Sequence, residues 1–294
     1  IALDSQGNIL LSGYVLGGSA DFDPGGGEDL KAPLGGNEAI FVTKLTEDGS
    51  YVWTRLINST SVNFGTKSIL GIDGNDNIIL ISDFYGTVDL DPGLSTANVT
   101  SVGNSDLLLL KLNPAGEYIW GKHFAGLGYD EPIDLGLNSD NNIFLSVYSS
   151  SSAITLDSSI FDLEKKTDGR EPIFLELSSA GDYVYSQAIL VNSSSNAEAY
   201  KILFDSNDGM YYMGYYTGSL DFNDKKTAVE KSVFASPPDR NMFLAKYNKV
   251  LSTNSSLLLI NTSGFVLSPV FDSSITSYMG SVDFAVDSIV LTPI

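Results

Sequence analysis

Two short elements set paired acids where they could hold a metal ion or close a turn: "SADFDPGGG" at 19–27 and "TVDLDPGLS" at 87–95. Asp21 and Asp23 in the first, and Asp89 and Asp91 in the second, stand two residues apart just ahead of a Pro-Gly pair. Calcium takes about 6–8 oxygen ligands, which two carboxylates, loop carbonyls and water could supply. The other chemistry is conformational. Proline fixes φ at the second turn position and glycine accepts positive φ at the third, so Pro24-Gly25 and Pro92-Gly93 suit a type II turn that the aspartates cap.

Other residues could do chemistry in principle. "DGNDN" at 73–77 begins like a helix-flanked calcium loop, but position 84 is Phe and position 85 Tyr where a bidentate Glu is needed, so it reads as a hairpin turn. His123 is the only histidine, and a Ser-His-Asp triad would have to use it, yet no Gly-x-Ser-x-Gly elbow lies nearby. A glycan hydrolase needs acid and base carboxyls within about 10 Å of each other. Acids that break the pattern of their neighbours, Glu131, Asp134 and Glu198, are the candidates for that work. Tyr211, Tyr212, Tyr215 and Tyr216 form the densest aromatic cluster and the best candidate for a binding face.

Bulk properties narrow the field. The chain has 16 basic and 36 acidic residues, a net charge of −20, so a nucleic-acid backbone or an anionic membrane is repelled. No apolar run reaches the roughly 18 residues of a membrane-spanning helix. With no cysteine, disulfides, thiolate chemistry and cysteine-held zinc are all excluded. An apolar content of 43% with 18% charged residues is that of a globular chain.

The elements that must carry these residues repeat. "ALDSQGNILLSGY" at 2–14, "GIDGNDNIILISDF" at 71–84, "GLNSDNNIFLSVY" at 136–148 and "LFDSNDGMYYMGYY" at 203–216 each read as two short strands around a polar hairpin turn. A third apolar run follows at 37–46, 105–113, 170–179 and 240–248, then a turn ("EDGS", "PAGE", "SAGD") and a fourth strand carrying an aromatic. Asp4, Asp73, Asn138, Asp205 and Asp272 are spaced 69, 65, 67 and 67, and Trp53, Trp120 and Tyr185 are spaced 67 and 65. Four-stranded units at a near-constant period, without helical periodicity, predict an all-β chain folded as a β-propeller of four-stranded antiparallel blades. One domain over 1–294 is expected to hold five blades, at about 1–59, 60–126, 127–192, 193–263 and a partial 264–294. The aromatic of strand four should fill the space between adjacent blades. The segments at 24–37, 92–105, 158–170 and 224–240 read as long irregular loops between strands two and three.

The units resemble bacterial β-propeller repeats of the SBBP type, with their "GN-apolar-G" hairpin, "DFDPG" element, "lKL" strand and "G-x-x-x-W" ending. The resemblance is strong in the first two units. "ITLDSS" at 154–159 and "LDFNDK" at 220–225 replace the Asp-Pro-Gly element in the next two, a loss that a turn tolerates better than a metal site does. The resemblance implies a propeller in a secreted or surface-exposed bacterial protein and no particular activity. The expected role is a non-enzymatic extracellular or cell-surface scaffold for a protein or glycan ligand, with no cofactor beyond the candidate calcium. The rivals are a carbohydrate-active hydrolase or lyase using carboxylates at the propeller face, and a spacer segment of a large adhesin or filament.

Overall fold

The structure, a computed structural model, describes residues 1–59, 64–151, 153–157, 159–160, 171–188, 190–191, 197–206, 208–216, 220–221, 229–234, 241–247, 266–268 and 279–281. Residues Ile1–Asn248 form one compact unit and Lys249–Ile294 a second. Of the second, one antiparallel pair is described, Val266–Ser268 with Met279–Ser281. The rest of the partial blade expected at 264–294, and residues 249–263, lie outside the described residues.

The first unit is built of hairpins of one kind. Counting the residue that ends the first strand as position one, its N–H donates to the carbonyl of position five, and the N–H of position four donates back to its carbonyl. Asp73 to Asn77 and Asp76 to Asp73 are both 2.9 Å, and the same pair of bonds recurs at Asp4, Asn138 and Asp205. Position four therefore needs positive φ, and it is held by Gly7 (80°), Asp76 (61°), Asn141 (62°) and Asp208 (59°), residue types that reach this region most readily. The hairpin between strands three and four repeats the geometry at Thr46, Asn113 and Ser178, with Gly49, Gly116 and Gly181 at positive φ.

These hairpins make four-stranded antiparallel blades. Blade 1 is Ala2–Leu3, Ile9–Leu16, Glu38–Leu45 and Tyr51–Asn58; blade 2 is Phe64–Ile72, Ile78–Phe84, Asp106–Leu112 and Tyr118–Gly126; blade 3 is Asp130–Leu137, Ile143–Ser149, Glu171–Leu177 and Tyr183–Ala188. Blade 4 has Ala197–Phe204, Met210–Tyr216 and Asn241–Tyr247, and its outermost described strand, Val229–Phe234, comes before its neighbour in sequence instead of after it. The chain is an all-β propeller of such blades.

Blade packing follows from the period of two in a strand. In blade 2, Ile79, Ile81, Leu107 and Leu109 join the apolar core shared with blade 3, while Ile78, Leu80, Leu108 and Leu110 join the core shared with blade 1. An uninterrupted apolar run such as "IILI" or "LLLL" is what a strand buried on both faces requires. Trp53 packs against the blade 1–2 core and Trp120 against the blade 2–3 core, as expected for aromatics that fill blade junctions.

Those tryptophans need a particular neighbour. A Cβ at Gly116 would lie 3.0 Å from the Trp53 ring, and one at Gly181 would lie 3.1 Å from the Trp120 ring. Glycine is thus required at each site twice, for positive φ and for room. Arg55 extends beside Trp53 and donates from Nε to Gly116 O (3.1 Å) and from Nη2 to Ala115 O (3.0 Å).

The segments read from sequence as irregular loops differ from that expectation. Three of them open on or contain short hairpins: Ala20–Asp21 with Leu30–Lys31, Thr87–Asp89 with Asn98–Thr100, and Ile154–Leu156 with Ser159–Ile160. The first arm of this segment in each later blade reaches back to the fourth strand of the blade before it or to the residues just after that strand. Ile154 pairs with Gly126 within a three-residue ladder, Ser59 bridges Val88, and Leu220 pairs with Val191. In the repeat alignment Ser59, Gly126 and Val191 are one position, as are Val88, Ile154 and Leu220. The same register therefore clasps three successive junctions.

The two roles of the glycine can be separated by mutation. Gly49→Ala forces only the φ strain, about 1–2 kcal/mol, because no described residue lies within 4 Å of a Cβ there. Gly116→Ala adds the collision with Trp53 and should destabilise by about 1–3 kcal/mol more. Urea unfolding of both variants checks this, and equal losses would mean that Trp53 does not pack on that turn.

Candidate functional site

The paired acids of the Asp-Pro-Gly elements act on backbone. Asp21 Oδ1 accepts from the N–H groups of Asp23 (3.1 Å) and Asp29 (2.9 Å), and Asp89 Oδ1 accepts from Asp91 (3.1 Å) and Ala97 (2.7 Å). Asp23 Oδ1 and Asp91 Oδ1 accept from Gly25 and Gly93 at 2.8 and 2.7 Å. The first acid of each pair thus ties the two arms of the clasp hairpin together, and the second caps its Pro-Gly turn. The two elements belong to separate hairpins of blades 1 and 2. Among the described residues no three His, Asp or Glu side chains gather as a metal site.

The acids that mark the period have a similar occupation. Asp4 Oδ2 and Asp73 Oδ2 each meet a lysine at 2.8 Å, Lys44 and Lys111, from the "lKL" strand. Burial opposes ionisation of Asp4, but the Lys44 ammonium and the amide donors of Asn8 and Gln6 outweigh it and hold the carboxyl at about 2. Burial likewise opposes ionisation of Asp73, and Lys111 with Asn77 and Asn75 brings its pKa below the usual carboxylate range. In blade 3 both members change: Asn138 replaces the acid, Glu176 replaces the lysine, and Asn142 Nδ2 donates to Glu176 Oε1 at 3.3 Å. Neighbouring turns are also joined along this rim. Ser5 N and Oγ each donate to Asp76 at 2.7 Å, Gly74 N donates to Asn141 Oδ1 at 2.6 Å, and Ser139 N donates to Asp208 Oδ1 at 2.9 Å.

The acids proposed for glycan chemistry sit on first strands, and Glu131 and Asp134 are engaged between blades. Glu131 pairs with Lys67 of blade 2 at 2.8 Å. Asp134 takes Lys201 Nζ at 2.8 Å and the N–H of Ile202 at 2.7 Å, both from blade 4. The side chain of Glu198 lies outside the described residues. Of the tyrosine cluster, Tyr212 is fully buried, with its hydroxyl 2.9 Å from Ser146 Oγ of blade 3, and Tyr211 is half-buried. The side chains of Tyr215 and Tyr216 lie outside the described residues. His123 Nε2 is 2.7 Å from Asp106 Oδ2, and the His123 ring lies against Phe84.

Two acids of blade 2 escaped the sequence reading. Asp106 is fully buried and stands where the other three blades have Ala39, Glu171 and Asn241. It accepts from Val102 N (2.9 Å) and Gly126 N (3.3 Å) as well as meeting His123, so it fastens the approach to strand three onto the end of strand four. Asp83 stands where the other three blades have Tyr14, Tyr148 and Tyr215. It is 4% exposed, its Oδ1 has no hydrogen-bond partner, and a Cβ on Gly65 would fall 1.6 Å from its Oδ2. Burial pushes its pKa up to about 6, with a contribution from the Glu131 charge, against partial relief from the backbone of Asp83 and Lys67 and from the Lys67 charge. Comparing the four units position by position, instead of tracking the residues they share, would have found Asp83.

An open groove of about 700 Å3 runs along the outside of blades 1 and 2. Its walls come from strand four of blade 1 (Arg55, Asn58), the first clasp (Lys31), the tip of the second clasp (Asp91, Leu94) and the turn at Glu117. Leu94 is fully exposed at its lip.

Comparison with known proteins agrees with this geometry. No family model matches the chain. The chain is similar to an uncharacterised WD repeat-containing protein of Acanthamoeba polyphaga mimivirus, 22% identical over 228 residues. The match covers 69% of this chain and 16% of that relative, so the chain spans only a small part of the protein it resembles. Blades and likeness together define a repeat β-propeller. No helix among the described residues is long and apolar enough to cross a membrane.

Asp83 gives the site a pH signature. Below about 3.8 the carboxyl is protonated in both states and adds no penalty; between 3.8 and about 6 the unfolded chain ionises while the folded one keeps its proton, so stability falls as pH rises. Above about 6 the whole penalty, on the order of 3 kcal/mol, persists. Asp83→Asn should therefore stabilise the protein, and its advantage over wild type should grow by about 1 kcal/mol from pH 5 to pH 8. Urea titrations at the two pH values measure it, and parallel curves would refute an unpaired buried carboxylate.

The turn roles of Asp21, Asp23, Asp89 and Asp91 predict a melting temperature that is unchanged between excess calcium and chelator. A ligand of the folded state at about 100 times its dissociation constant adds about 2.7 kcal/mol, so a rise of several degrees with calcium would make these acids ligands.

Proposed function

We propose that the chain is a non-enzymatic β-propeller scaffold whose business is contact with a protein partner. The observation that carries this reading is the engagement of the acids that repeat. They serve turns, lysines and neighbouring blades, and the surface left over is a groove with an exposed Leu94 between charged walls. An apolar lip with a charged rim is protein-like recognition chemistry, and no stacked aromatic platform of the kind that would favour a glycan is open among the described residues. The likeness to a WD repeat-containing protein supports the same class of role. The resemblance of the first two units to bacterial SBBP-type repeats is the ground for the extracellular or cell-surface setting that we propose with it.

The test uses the whole chain as bait against surface extracts, comparing wild type with Leu94→Asp. A partner held by wild type and lost from a variant of unchanged melting temperature supports a contact scaffold working through this groove. A partner retained equally by both removes the groove from the reading, and turnover of a glycan substrate by the purified chain would overturn the non-enzymatic role.

A further inference from the structure

The clasps of blades 2 and 3 follow the strand-four edge before them to different extents. At the blade 2–3 junction Phe124–Gly126 pairs with Ile154–Leu156, and Asp157 then meets His123 in both directions: Asp157 N donates to His123 O at 3.1 Å, and His123 N donates to Asp157 Oδ1 at 3.3 Å. Asp157 lies at a φ of 45°, which reverses the chain at once and keeps the clasp on the edge up to its turn. At the blade 1–2 junction the clasp meets the edge by one bridge, Ser59 to Val88. There the counterpart of His123 is Leu56 and that of Asp157 is Asp91. Asp91 precedes Pro92, and the proline ring holds the residue before it to extended backbone, so the reversal made by Asp157 is denied to it. Asp91 instead serves its own tip, where its N–H donates to Asp89 Oδ1 and its Oδ1 accepts from Gly93.

The backbone left behind by the clasp faces outward. Ser59 N donates to Glu38 O, and orientation alternates along an antiparallel pair, so Ile57 and Arg55 turn their backbone groups toward strand three while Leu56 and Asn58 turn theirs away. Asn58 Nδ2 reaches Leu56 O at 3.4 Å, and among the described residues no acceptor meets the Leu56 N–H. Thr54, 2% exposed, ends the open stretch. Leu56 and Asn58 line the groove between the two clasps, and the charges around them are unevenly committed. Both cations are occupied, Lys31 with Asp29 at 3.1 Å and Arg55 with the carbonyls of Gly116 and Ala115. The acids, Asp91 and Glu117, each use one carboxylate oxygen, for Gly93 N and for Asn113 Nδ2, so the groove presents negative charge on a chain whose net charge is −20. Resting on the groove as the contact site, we infer that the Leu56–Asn58 edge is a strand-addition site for an extended, lysine- or arginine-bearing segment of a partner protein. The segment's backbone pairs with Leu56 in the place that Asp157 takes beside His123, which supplies anchoring that is blind to side chains. Asp91 and Glu117 select its cations, and the exposed Leu94 gives it an apolar contact.

The probe is an acetylated and amidated peptide, KVKVK, added to the intact chain while backbone amide chemical shifts are followed. Saturable shifts at Leu56 and Asn58 are the expected result, with His123 unmoved because Asp157 already closes that edge. Affinity should fall about tenfold or more when the peptide's backbone amides are N-methylated, which removes its donors, and should fall again for the acidic peptide EVEVE. Shifts at Asp91 and Leu94 without Leu56, or equal binding of the methylated peptide, overturn strand addition and leave the groove as a contact site. Absence of saturable shifts in the groove, or equal binding of EVEVE, also overturns the inference, and the Leu94→Asp comparison then judges the groove by itself. A Leu56 amide already protected from hydrogen exchange in the free chain would show that the chain covers its own edge, and that result overturns the inference too.

Discussion

A four-stranded blade has two edge strands, and of these strand four presents a row of backbone groups that nothing in the blade can satisfy. Along strand four, every second N–H and C=O points away from strand three, and an exposed row of such groups invites pairing with any passing strand. The fold deals with this edge twice in each of the first three blades. Near the start of the strand one extra residue, Val52, Ile119 or Val184, makes a bulge against the third strand at the same place in each repeat. A bulge twists an edge out of register with a would-be partner. At the far end the clasp from the following blade pairs with the strand, at Ser59, Gly126 and Val191. One edge is thus blunted by its own chain and closed by its neighbour, and the order of the blades is fixed by which clasp reaches which strand.

Charge is handled by the same local accounting. A chain at −20 repels itself unless its acids are neutralised or hydrogen-bonded. The acids at the ends of first strands do more than balance charge: each closes its own hairpin through Oδ1 and, in blades 1 and 2, holds a lysine of the third strand through Oδ2. Because the two strands are tied across a shared pair, neither member can change alone without leaving an uncompensated group in a largely buried place. Blade 3 changes both, to Asn138 and Glu176, which is the substitution pattern that a coupled pair permits. Asp83 is the exception that shows the rule. It replaces a tyrosine without a matching cation at hydrogen-bonding distance, and it carries the raised pKa that follows from burying a charge alone.

Much of this was legible in the residues. The period set the blades, the alternation within "IILI" and "LLLL" set their two packed faces, and Asp, Asn and Gly at position four announced positive φ in every first turn. The spacing of Trp53, Trp120 and Tyr185 pointed to the junctions because packing between equivalent blades must itself repeat. The clasp was not legible. Its arms are two or three residues long, too short to show a strand period, and their pairing lies in backbone shared with another blade. The role of Asp83 was hidden for the opposite reason. A repeat is recognised by what its copies share, while this acid matters because it differs, and only burial shows that the difference has consequences.

The clasp also explains why the Asp-Pro-Gly element can erode without loss of the fold. What joins the blades is a backbone ladder, which any residue can make, and the side chains of Asp89 and Asp91 act one step away, by tying the hairpin arms and capping the turn. Blade 3 keeps the ladder at Ile154–Leu156 with "LDSS" in place of "LDPG", and its Asp157 is redirected to Lys122 of the preceding blade at 3.0 Å. Blade 4 keeps the pairing at Leu220 with "DFND". A metal site would have lost its ligands at the first such change. A turn that supports a ladder needs only some way of reversing the chain, so sequence at the clasp tips is free to vary while the register beneath them stays fixed. That freedom is seen at Leu94, which stands fully exposed at a clasp tip while the register beneath it holds blades 1 and 2 together.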